Sequence, residues 1–211
     1  MPGGIILGGR ELPCSVPVSQ GPRIELDHGA RLRVRPIDMI VVHWTGGEGD
    51  VYQVHRTLQR RRLGVEFVID PAGRAWQLCD PLELDAMDCG RRYDPRSIGI
   101  EVACYGWRRL ASQVPRAGRD RRTYVGRIRW SRRTMAAFRA PQYRALTGLC
   151  DALTEHVPSI PRRVCAESRT LSRREAATVA GVVGHYQLSR RKLDPGLEPL
   201  QVISDWWGRS G

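Results

Sequence analysis

The stretch 37–43, Ile-Asp-Met-Ile-Val-Val-His, constrains the fold of this chain more than any other seven residues. It is aliphatic and largely β-branched with almost no alternation, the pattern of a strand covered on both faces. A glycine-rich turn follows at 45–50. The next segment, 51–62, places Val51, Val54, His55 and Leu58 on one face of a helix before Gly64 stops it. A doubly covered strand leading through a turn into an amphipathic helix opens an α/β unit.

The remaining punctuation agrees. Segments 65–70 and 75–79 read as two strands joined by a Pro-Ala-Gly-Arg hairpin turn, and 97–104 as a further strand. Residues 142–156 form an amphipathic helix with Tyr143, Leu146, Cys150 and Leu153 on one stripe. Ser172 and Glu175 make a capping box that opens a short helix to about residue 179. The pattern predicts an α/β fold, a single domain over 37–211 with a central, mostly buried mixed β-sheet flanked by helices. A chain of 211 residues with 41% hydrophobic content supports one such core. Residues 1–36, rich in Gly and Pro, read as an N-terminal arm with a small hairpin, and about 105–135 as a long Arg-rich surface loop. Trp206 and Trp207 are expected to cover part of the core.

Charge narrows the partners. The formal net charge of +12 favours polyanions. The arginine clusters at 60–62, 116–133 and 162–163 carry only Tyr124 and Trp130 as aromatics, so they read as solvated faces rather than a stacking platform for single strands. No specific nucleic-acid partner is expected. No run approaches the roughly 18 apolar residues of a membrane span. The first ten residues lack a charged segment and a long apolar one, so a cytoplasmic protein as synthesised is expected, without a secretory signal. The six cysteines show no Cys-x-x-Cys spacing and read as reduced thiols rather than a disulfide framework, which their even count leaves open.

Of 34 basic side chains, 33 are arginine and one is Lys192. Lysine is a compact point charge where arginine is a planar fork, so the lone lysine marks a place that needs an ammonium. It lies between His185 and the Asp-Pro-Gly turn opened by Asp194. His43 ends the most hydrophobic strand, where ligand sites of α/β sheets form. His43, His185 and Asp194 together make a mixed nitrogen and oxygen set that suits zinc, with a fourth position for water. His55 reads as structural, and His28 and His156 as surface residues.

These blocks resemble a known family. Val-Val-His-Trp-Thr-Gly-Gly at 41–47 is similar to the first zinc motif of N-acetylmuramoyl-L-alanine amidases. Their fold is shared by phage lysozyme-type amidases, bacterial recycling amidases and peptidoglycan recognition proteins. The segment 67–77 resembles the strand-turn-strand that follows in these enzymes, 97–101 a further block, and 184–196 the last. The blocks stand in the family's order. The resemblance implies that His43, His185 and Asp194 hold Zn2+ at the strand ends. It also implies that Glu101 activates the attacking water as general base, and that Lys192 stabilises the oxyanion. The bond cut would join N-acetylmuramic acid to L-alanine in peptidoglycan or muropeptides, as in an endolysin-like enzyme that reaches the wall by a signal-independent route.

Two departures stand out. Many members have Tyr-His where this chain has Val65-Glu66, which leaves the catalytic burden on Glu101. A typical Ala-Trp-His-Ala-Gly is here Ala86-Met-Asp88-Cys-Gly90, which alters the wall of the substrate groove. Trp44, Thr45 and Asp88 are the candidate substrate contacts. A non-catalytic peptidoglycan-recognition module is the alternative, and a binder has no need of Glu101 and Lys192.

Overall fold

The computed structural model describes residues 3–107, 122–128 and 131–209. The chain opens with a hairpin, β1 (Ile5–Leu7) and β2 (Arg10–Leu12), turned at Gly8 and Gly9, whose φ of 59° and 73° favour glycine. Strands β3 (Val18–Gln20), β4 (Ala30–Leu32) and β5 (Met39–Trp44) precede helix α1 (Val51–Arg60). Then come β6 (Phe67–Ile69), β7 (Ala75–Gln77), β8 (Leu84–Ala86) and β9 (Ser97–Val102). A second hairpin, β10 (Thr123–Ile128) and β11 (Ser131–Ala136), leads to α2 (Ala140–His156) and α3 (Arg173–Thr178). Last are β12 (Gly181–Gly184), the single-turn α4 (His185–Leu188) and α5 (Glu198–Arg209).

The central sheet has the order β12-β5-β9-β6-β7-β3. The first four strands are parallel; β7 is antiparallel to β6, and β3 is parallel to β7. The sheet is therefore mixed, with the aliphatic β5 well inside it. Side chains alternate across it. Ile40, Val42, Ile98, Ile100 and Val102 meet Leu146, Leu149 and Leu153 of α2 and Leu200 and Ile203 of α5. Each fully buried leucine contributes about 1.5–3 kcal/mol, so the α2 stripe is a principal source of stability. The other face carries Met39, Val41 and Val183 beside Ala176, and further along Val65 and Val68 under Val51, Val54 and Leu58 of α1. Capping boxes of Asp50 with Gln53 and Ser172 with Glu175 start α1 and α3.

Two expected segments come out differently. The stretch 1–36 supplies β3 to the central sheet and β4 to a pair with β8, so it is built into the same body. Arg33 anchors it: the guanidinium, 4% exposed, donates to the carbonyls of Leu84, Asp94, Pro95 and Ser97 and to Glu66 Oε1. The loop expected over 105–135 holds a hairpin, registered from Thr123 opposite Ala136 to Ile128 opposite Ser131. Gly126 and the interspersed arginines hide its two-residue period. Residues 108–121, 129 and 130 of that loop, Trp130 included, lie outside the described residues. At the C-terminus Trp207 packs on the core, while Trp206 is 47% exposed; both indole N–H groups donate to Asp151.

Candidate active site

The parallel register sets His43 of β5 directly beside Glu101 of β9. Both sit on the face opposite Val42 and Val102, at the carboxyl ends of their strands. On the other flank β12 pairs with β5 so that Gly184 stands beside Val42, and the chain then turns into α4 with His185 as its first residue. The loop after α4 folds back: Tyr186 N–H donates to Asp194 O at 2.9 Å. A Cβ on Gly184 would lie 2.8 Å from Pro195 Cδ, so the missing side chain admits the Asp194-Pro195 turn over the strand end.

Three ligand atoms converge as a result. His43 Nδ1 and His185 Nδ1 are 2.9 Å apart, and each is 3.0 Å from Asp194 Oδ2. All three residues are buried. A ring of three mutually close atoms, two of them imidazole nitrogens, cannot be satisfied by the one or two protons available. Around a tetrahedral ion with bonds of about 2.0–2.1 Å, donor atoms stand roughly 3.3 Å apart, close to what is seen. The group can therefore hold a metal ion. Without one, burial favours the neutral form of His43, but Asp194 and Asp88 outweigh it and raise the imidazole well above 6.5. Burial lowers His185 against the pull of Asp194. Asp194 opposes its own burial through both imidazoles and is held well below the usual carboxylate range.

Glu101 borders this group, 9% exposed, with Oε2 unpartnered among the described residues. Its carboxyl is pushed up to about 7, mainly by burial and further by Asp194 and Asp88, against His43 and Lys192. Lys192 faces the same groove from the loop that delivers Asp194. The groove measures about 500 Å3, in the range of small-ligand sites. Gln53 and Thr57 of α1 and Arg61 at its C-cap line another wall, and Arg191 joins Lys192 on the rim. The i, i+4, i+8 spacing of these three is present in the sequence, but the apolar face of α1 gives the stronger periodic signal there.

The expected substrate contacts divide. Trp44 lines the groove and stacks on Gly106, where a Cβ would sit 2.2 Å from the indole. Trp107 lies across from it under the Arg133 guanidinium, 4.6 Å from the ring centre. Thr45 reaches the groove, but its hydroxyl holds the turn, donating to Gly47 O at 2.7 Å and accepting from Gly47 N and Cys104 N. Asp88 touches the groove floor, but its side chain is 3% exposed and turned against His43. Val65, standing where many members carry tyrosine, is fully buried beneath α1.

Fold and site together define an α/β protein with a His-His-Asp group able to hold a metal, flanked by a buried carboxyl and a lysine. The chain belongs to the N-acetylmuramoyl-L-alanine amidase family, which matches residues 33–197. No curated protein matches it in sequence. Among solved structures, the amidase LysC of Clostridium intestinale superposes with a TM-score of 0.56 at 13% identity, covering 90% of this chain and 97% of that one. The E. coli amidase AmiD, in complex with anhydro-N-acetylmuramic acid-L-Ala-D-γ-Glu-L-Lys, gives 0.52 at 22% identity over 79% of this chain and 56% of that one. Peptidoglycan recognition protein SA of Apis mellifera gives 0.50 at 13% identity, covering 86% and 90%. These likenesses establish a common fold. Among the described residues, no helix is long and apolar enough to cross a membrane.

Proposed function

We propose that the protein is a zinc-dependent amidase that hydrolyses the bond between the lactyl group of N-acetylmuramic acid and L-alanine, in peptidoglycan or its soluble fragments. The observation that carries the reading is the convergence of His43 Nδ1, His185 Nδ1 and Asp194 Oδ2 within 3.0 Å of one another, at a groove that His43 and Asp194 line together with Glu101 and Lys192.

Those three residues would hold the zinc. The ion, when bound, supplies Lewis-acid activation of water and of the scissile carbonyl at neutral pH. Glu101 takes a proton from the attacking water as the new C–O bond forms. The carbonyl oxygen gains negative charge, and the Lys192 ammonium stabilises it. Glu101 then delivers its proton to the alanine nitrogen as the C–N bond breaks, releasing a free amine and a lactyl carboxylate. A carboxyl raised toward neutrality is suited to both transfers. Trp44 and Trp107 offer apolar walls, and Arg61 and Arg191 offer cations for the carboxylates of a stem peptide.

The test is mass spectrometry of peptidoglycan and of soluble muropeptides incubated with the protein as purified, after chelation, and after zinc is restored. Zinc-dependent release of peptides with a free N-terminal alanine is the expected result. No release from either substrate by zinc-loaded protein would overturn the reading in favour of a recognition module.

A further inference from the structure

Asp88 is a buried carboxylate with no part in the mechanism above. It stands where similar chains carry the histidine of Ala-Trp-His-Ala-Gly. Its place is made by Gly99 of β9: a Cβ there would lie 1.7 Å from Asp88 Oδ2 and 2.9 Å from its Cγ. The carboxylate thus fills the space of a missing side chain, on the sheet face that carries His43 and Glu101.

Its one ion-pair contact among the described residues is with His43, Oδ2 to Nε2 at 3.2 Å. The two atoms stand at contact distance facing one another without a hydrogen bond formed between them. Both Asp88 oxygens and His43 Nε2 are thus buried without hydrogen-bond partners among the described residues. Buried polar atoms with no partner cost about 1–3 kcal/mol each, so a buried donor and acceptor left facing one another point to a shared purpose. The other ring nitrogen of His43 supplies it. Nδ1 belongs to the His-His-Asp convergence, and an imidazole that ligates through Nδ1 as a neutral group keeps its proton on Nε2. That N–H is the one turned toward Asp88.

We infer that Asp88 is a positioning residue of the metal centre: it accepts the Nε2–H of His43, fixes that tautomer and ring direction, and raises the basicity of the Nδ1 lone pair offered to the metal. The inference rests on the zinc reading of the site. It places the acid behind the ligand rather than on the substrate, and loss of such a partner lowers metal affinity by about 10–100-fold.

The experiment measures zinc affinity by competition with a chromophoric chelator, in the wild-type protein and in Asp88→Asn, with circular dichroism to confirm the fold. Wild-type protein that binds no zinc would sink the zinc reading itself. With zinc bound to wild type, a fall in affinity of about 10–100-fold in Asp88→Asn is expected. Equal affinity in a folded Asp88→Asn would overturn the positioning role and leave the zinc reading standing. A second measurement needs no variant: long-range proton–nitrogen NMR of the zinc-loaded wild type should show His43 protonated at Nε2 and ligating through Nδ1. The opposite tautomer would also overturn the inference.

Discussion

Arg33→Met tests whether the first 36 residues belong to the enzyme's body. The arginine head donates to four backbone carbonyls and to Glu66, binding β4 to the end of β8, the turn at 94–97 and the base of β6. Methionine keeps much of the apolar stem and removes every one of those donors. Four buried acceptors at about 1–3 kcal/mol each would sum to roughly 4–12 kcal/mol, but water entry and relaxation reduce that. Breaking a buried charged contact from one side costs about 3–5 kcal/mol, and we take that as the expected loss. For a domain of this size it corresponds to a fall in Tm of about 6–20 °C. Thermal and urea unfolding followed by circular dichroism would measure it. A loss below about 1 kcal/mol, within the range of an ordinary surface substitution, would refute the reasoning and show that the segment merely rides on the domain.

Three further outcomes follow from the site. Lys192→Arg should keep bound zinc but lower turnover by about 10^2–10^3-fold, because the larger fork cannot occupy the ammonium's place; near wild-type turnover would remove the argument from the lone lysine. Gly99→Ala drives a Cβ into the Asp88 carboxylate and to 2.8 Å from Val65 Cγ2, so zinc affinity should fall as it does in Asp88→Asn; a folded variant with unchanged affinity would contradict this. Glu66 is pushed up to about 8, by burial first and then by Asp88, against Arg33. The folded protein thus holds a proton that the unfolded chain releases above 4.5, and stability should fall as pH rises from there to about 8. Glu66→Gln should flatten that decline by on the order of a few kcal/mol, and an unchanged slope would argue against it.

The centre of the fold was legible where local pattern and burial coincide. The aliphatic run before His43, the stripe on α2 and the box at Ser172 each state their element within a few residues. Strand β12 was not legible, because Gly-Val-Val-Gly is too short for a period and finds its partner at 39–42. Helix α5 carries Leu200, Ile203 and Trp207 at helical spacing, a signal obscured in the sequence by the paired tryptophans. The edge strand β3 hides among glycines and prolines, and its place depends on β7, more than fifty residues away. At the site, residue chemistry singles out His43, His185, Asp194 and Lys192 in the sequence, and the family resemblance adds Glu101 as an expectation. The direction in which Asp88 points could not be read, because it depends on the space left by Gly99 on another strand.

The order of the sheet also sets a timetable. His43 and Glu101 stand on neighbouring strands and can come together once residue 102 has been made. His185 and Asp194 arrive only with β12 and the turn behind it, closing a loop of more than 140 residues onto β5. Such long-range pairing is slow to form. A nascent chain therefore carries one member of the His-His-Asp group, His43, until residue 185 is made, and cannot complete the group before residue 194. On the proposed zinc reading, competence for metal is thus a late event of folding, and a copy ending before residue 185 would lack two of the three ligands.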